Sequence, residues 1–76
     1  MPSLRPIHHR KFEKFLVYVG CHLKHQVGDH KMYTRSDLSR PVVVRTLKDL
    51  PVTDIKSNLR TLNIQTQEYL NIIEKL

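Results

Sequence analysis

What this chain lacks narrows it quickly. Its one cysteine, Cys21, cannot close an intramolecular disulfide, and no Cys/His spacing has the pattern of a zinc site. No apolar run approaches the roughly 20 residues of a membrane helix, and the N-terminus has no signal-peptide core. A cytoplasmic protein without a membrane partner is therefore expected. The seven acidic side chains are scattered with no paired spacing, which disfavours a two-metal hydrolase, so neither metal nor cofactor is expected. Repeats, low-complexity tracts and internal linkers are also missing. Seventy-six residues hold one thin core and one cleft, which makes a single domain, 1–76.

What is present is basic. The net charge is +6, and residues 1–48 hold ten Lys/Arg against three Asp/Glu, whereas residues 49–76 hold three against four. A charge so unevenly placed is the footprint of a polyanion binder; its bland alternative is solubility charge.

The hydrophobic pattern gives the elements. Phe12, Phe15, Leu16 and Val19 recur at helical spacing from His8 to Val19, and Gly20 suits the left-handed residue after the helix. "CHLKHQV" and "HKMYTR" alternate with period two around Gly28-Asp29, the signature of a type I′ or II′ hairpin. That loop pairs Val27 with His30, His25 with Met32 and Leu23 with Thr34. One face then carries Cys21, Leu23, His25, Val27, His30 and Met32 and is expected to take the helices. The other, with Lys24, Lys31, Tyr33 and Arg35, is expected to be wet and cationic. "VVVR" (42–45) reads as a third strand. Thr53 or Asp54 can cap a helix with Ile55, Leu59 and Leu62 that ends at Asn63, and Gln65 or Thr66 opens a last one with Tyr69, Ile72, Ile73 and Leu76. The class is α+β, in the order α-β-β-β-α-α, with a three-stranded antiparallel sheet and helices on one face.

Connectivity brings the hairpin tip back toward the start of the first helix. His30 is thus expected among Arg5, His8, His9, Arg10, Arg45 and Lys48, sheltered but reachable, with the helix N-terminus offering a phosphate site. His8, His9, His22 and His25 read as surface or satisfied residues, Asp29 as a turn former, and Cys21 and Met32 as core filler.

The stretch "PIHHRKFEKFLVYVGCHLKHQVGDHKMY" (6–33) resembles the start of the HicA toxins, small ribonucleases of HicA–HicB toxin–antitoxin pairs. Gly20, Leu23, Gln26, Gly28, His30 and Tyr33 fall in register with that family's pattern. "IKSNLRTLNIQTQEYLNII" resembles its closing segment. The resemblance implies a fold like the double-stranded-RNA-binding domain and cleavage of mRNA with His30 as the required histidine. It also implies a cytoplasmic life as a free monomer or in a hetero-oligomer with a HicB-like antitoxin. Asp29 stands where the family has Ser, His25 where Arg is common, and Arg45-Thr46-Leu47 where a second histidine is often found.

RNA brings its own nucleophile, the 2′-OH, so little machinery is needed. His30 would act as base, or as base and acid in turn, with Arg10, Lys31, Arg45 and Lys48 as candidates for charge stabilisation and Lys24 as a further RNA contact. A non-catalytic RNA-binding module using Lys24, Lys31, Tyr33 and Arg35, or a basic interaction protein, are the alternatives. The ribonuclease reading carries a sharp expectation about products. Cleavage should persist in excess EDTA and leave 2′,3′-cyclic phosphate ends, checked by end-labelling; chelator-sensitive cleavage to 5′-phosphates would contradict it.

Overall fold

The computed structural model describes residues 3–76, so the first two residues of the 1–76 domain lie outside it. The elements run α1 (His9–Tyr18), β1 (His22–Val27), β2 (His30–Thr34), β3 (Val42–Arg45), α2 (Val52–Leu62) and α3 (Thr66–Lys75). This is the expected α-β-β-β-α-α layout, an open antiparallel sheet in the order β1-β2-β3. Among the described residues no helix is long and apolar enough to cross a membrane.

Local chemistry sets the ends. The His8 side chain accepts from the Arg10 amide and opens α1. At the far end Cys21 N–H donates to the Leu16 carbonyl and Gly20 N–H to that of Val17, with Gly20 at φ +94°. This pair of bonds around a left-handed residue is the Schellman closure. Asn63, at φ 57°, closes α2 the same way, with Ile64 N–H donating to Leu59 and Asn63 N–H to Arg60. The start of α2 differs from expectation. Neither Thr53 nor Asp54 caps it; Pro51 precedes its first residue, Val52, and Asp54 sits in the first turn. Proline's fixed φ suits a helix entry, and the Pro51 carbonyl accepts from Asp54 and Ile55.

The core joins Phe12, Phe15 and Leu16 of α1 to Val42 and Val44 of β3, to Ile55, Leu59 and Leu62 of α2 and to Tyr69 of α3. The Tyr69 ring meets Phe15 edge-on at 4.9 Å, and burial pushes its hydroxyl pKa up to about 12. Leu50, from the loop after β3, is also buried and pairs with Ile7 through two backbone bonds of 3.1 and 2.7 Å. Cys21 is buried as expected, and burial raises its thiol pKa, which leaves it a small apolar filler.

The sheet faces are the reverse of those expected. Tyr33 and Lys31 pair with Val42 and Val44, which are fully buried, so this parity faces the helices. His30 and Met32 pair with Arg45 and Val43 on the open face. The expected partnership of Leu23 with Thr34 is also replaced. Val27–His30 and His25–Met32 hold, but a bulge at Lys24 shifts the register so that Leu23 meets Tyr33 and His22 meets Thr34. All six β1 residues are exposed, so alternation along β1 reports nothing about burial. Arg35 is not a wet surface cation either. Its guanidinium donates to the Val19 carbonyl at 2.7 Å and the Leu62 carbonyl at 3.4 Å, tying together the last turns of α1 and α2 while pairing with Asp37.

Gly20 tests this joint. A Cβ there would lie 3.3 Å from the Arg35 Cδ on a backbone that L-residues avoid. Gly20→Ala should therefore cost about 1–2 kcal/mol in a urea titration. An unchanged midpoint would contradict the closure described.

Candidate functional site at the hairpin tip

The hairpin tip is rigid for local reasons. Gly28 has φ +58° while Asp29 does not enter the left-handed region, the pattern of a type II′ turn. The Asp29 carbonyl then accepts from Thr46 twice, from its N–H at 2.8 Å and its hydroxyl at 3.1 Å. These bonds join the residue before His30 to the residue after Arg45. In antiparallel geometry that makes His30–Arg45 a non-hydrogen-bonded pair, the kind whose side chains stand closest.

With the backbone clamped, the Asp29 carboxylate turns onto its neighbour. Oδ1 lies 3.0 Å from the His30 Nδ1. The carboxylate accepts the Nδ1–H, which leaves the lone pair on Nε2, and the His30 side chain keeps 43% of its surface exposed. Asp29 is therefore more than a turn former: its carboxylate orients the ring.

His30 lines a hollow of about 260 Å³ between the open face and α2, shared with Arg40, Arg45, Asp54, Ser57 and Thr61. Helix α2 overhangs the β3 edge here, and Asn58 Nδ2–H donates to the Val43 carbonyl at 3.3 Å, satisfying one of that edge's free acceptors. The helix-side residues follow the spacing 54, 57, 58, 61, one stripe of the helix. That polar stripe is visible in the sequence, but it reads there as ordinary solvent face; Arg40, in an irregular loop, gives no such signal.

The expected cationic ring is split. Arg45 stands beside His30, as expected. Arg10 and Lys31 instead line a different hollow on the helix side, and Arg5 a third, between the N-terminal segment and α3. Lys48 is exposed and lines none of these, and Lys24 occupies the β1 bulge. Among the described residues, no three His, Cys, Asp or Glu side chains are grouped to hold a metal ion.

Lys31 and Tyr33 are engaged elsewhere. The Glu13 carboxylate of α1, only 8% exposed, accepts from Tyr33 OH at 2.6 Å, Lys31 Nζ at 3.0 Å and His9 Nδ1 at 2.7 Å. Burial alone would raise the Glu13 pKa, but the bonds from Tyr33, His9 and Lys31, with the Lys31 charge, outweigh it and hold the group below its ordinary 4.5. Burial and the Glu13 contact push Tyr33 well up, so its hydroxyl stays a donor. The RNA platform of Lys24, Lys31, Tyr33 and Arg35 is accordingly not assembled. No protein-family model, curated protein or solved structure matches the chain.

The Glu13 cluster predicts a pH effect. A carboxylate with a lowered folded pKa stabilises the fold above its unfolded value, and that contribution is lost as pH falls through the folded one. Tyr33→Phe should cost about 1.5–3 kcal/mol at neutral pH, and less in acid, as read from denaturation at several pH values. A cost independent of pH would remove Glu13 from this role.

Proposed function

We propose that the chain is a metal-independent endoribonuclease of the kind its HicA resemblance implies, acting on RNA in the hollow around His30. The observation that carries this reading is the His30–Asp29 contact at 3.0 Å, which leaves Nε2 free beside Arg45. His30 Nε2 takes the 2′-OH proton, the 2′-oxygen attacks the adjacent phosphorus, and the bond to the 5′-oxygen breaks. The products are a 2′,3′-cyclic phosphate and a 5′-OH, and the proton ends on the leaving oxygen, from the imidazolium or through water. Arg45 and Arg40 stabilise the charge that builds on the phosphorane oxygens, and Ser57 supplies a hydroxyl to the phosphate, while the Thr61 hydroxyl is donated to the Ser57 carbonyl. Asp29, where the resemblance has Ser, becomes the orienting carboxylate.

Such a toxin would be held by a HicB-like antitoxin in the cytoplasm. Because Arg10 lies apart from His30 and Arg45, no single acidic patch confined to the His30 hollow would engage all three.

The test is cleavage of a fluorogenic RNA by variants whose fold is verified. His30→Ala should abolish turnover. Asp29→Asn should lower kcat about 10²–10⁴-fold with KM little changed, as befits a group acting through the base. Full activity of His30→Ala would overturn the assignment. An Asp29→Asn defect confined to KM would mean the carboxylate contacts substrate instead.

A further inference from the structure

The helical layer is incomplete. Helices α1 and α2 pack against β3, while all six β1 residues are exposed. The uncovered strip lies over β1 and borders β2, whose Tyr33 is already buried and bonded to Glu13 of α1. A hollow of about 640 Å³ lies at its border, where Arg10, Lys14, Val17 and Tyr18 of α1 face Lys31 and Tyr33 of β2, with Leu76 at one end. This surface belongs to the helix-bearing side of the sheet, opposite His30.

Its chemistry is graded. Along α1 the groove stripe follows the spacing 10, 14, 17, 18, two cations and then two apolar residues, Val17 and Tyr18, which are 61% and 63% exposed. Leu23, paired with Tyr33 across the bulged register and also exposed, continues the apolar floor toward β1. Glu13, the acid that lines the hollow, is already engaged by hydrogen bonds from Lys31, Tyr33 and His9. An apolar floor does not suit phosphates, whereas apolar anchors rimmed by opposite charge are how a groove takes an amphipathic helix.

We propose that this groove docks an acidic amphipathic helix of another protein, its apolar side chains on Val17, Tyr18 and Leu23 and its carboxylates against Arg10 and Lys14. The docked helix completes the layer that α1 begins. A second copy of this chain fits poorly, because it brings the same cations to the contact. The surface is independent of the ribonuclease reading, and its occupation leaves His30 uncovered.

The experiment titrates the isotope-labelled full chain with a short stapled helix bearing Leu and Phe on one face and Glu on its flanks. A scrambled peptide of the same composition and a 2′-O-methyl oligouridylate serve as the comparison probes. Amide shifts should centre on Lys14, Val17, Tyr18, Leu23 and Tyr33 and spare His30 and Arg45. Tyr18→Glu, at an exposed position, should weaken binding at least about tenfold with the rest of the spectrum intact. Equal binding of the scrambled peptide, shifts centred on His30, or no binding would overturn the proposal. So would displacement of the peptide by the oligonucleotide, which would make this a nucleic-acid surface, or concentration-dependent shifts without peptide, which would make it a dimer contact.

Discussion

One buried carboxylate decides which way the sheet faces. Glu13 sits on the inner side of α1 and is almost completely covered, so its lone pairs must be met by protein donors. Tyr33 and Lys31 meet them from β2, and they can do so only from the helix-bearing face. Strand alternation then leaves His30 and Met32 no choice but the opposite face. The placement of His30 is thus set by a contact that does not include it. Leaving that carboxylate short of a donor would cost about 1–3 kcal/mol, a large share of the stability of a small domain.

The same constraint divides the surface into two regions of different chemistry. On the open side, the tip turn and Thr46 fix Asp29 and His30, and α2 brings hydroxyls and a carboxylate to them over the β3 edge. On the helix side, cations and apolar residues of α1 border an uncovered strip of sheet. Helix α2 serves both: Ile55, Leu59 and Leu62 bury into the core while Asp54, Ser57 and Thr61 line the hollow. Arg35 holds the frame by bonding the carbonyl ends of α1 and α2 at once.

The order of elements, the Gly20 and Asn63 closures and the register at the tip are all local properties, and they are legible in the chain. That His30 lies near Arg45 follows from connectivity, but their direct pairing is the register of β2 on β3, which the two-residue loop between β1 and β2 does not set. The faces are not local. Both parities of the hairpin contain apolar residues, and β1, the peripheral strand, alternates without burying anything. What breaks the tie is Glu13 meeting Tyr33 across 20 positions of sequence, a polar contact that hydrophobic patterning ignores. The Lys24 bulge adds one residue to β1 and moves Leu23 across the sheet, which no composition rule announces. The stripe at 54, 57, 58 and 61 has a readable period, but only the sheet edge beneath it turns a solvent face into part of a hollow.

The functional reading stands on one ring and its proton. If Asp29 holds His30 as described, the neutral imidazole carries its hydrogen on Nδ1 and presents a bare Nε2 to the hollow. Long-range proton–nitrogen correlation spectra of His30, recorded where the ring is neutral, report this directly. A protonated Nδ1 with an unprotonated Nε2, lost in Asp29→Ser, is the result required. The opposite tautomer, or a ring unaffected by Asp29→Ser, would contradict it, because the atom meant to accept the proton would then already hold one or owe its freedom to something else.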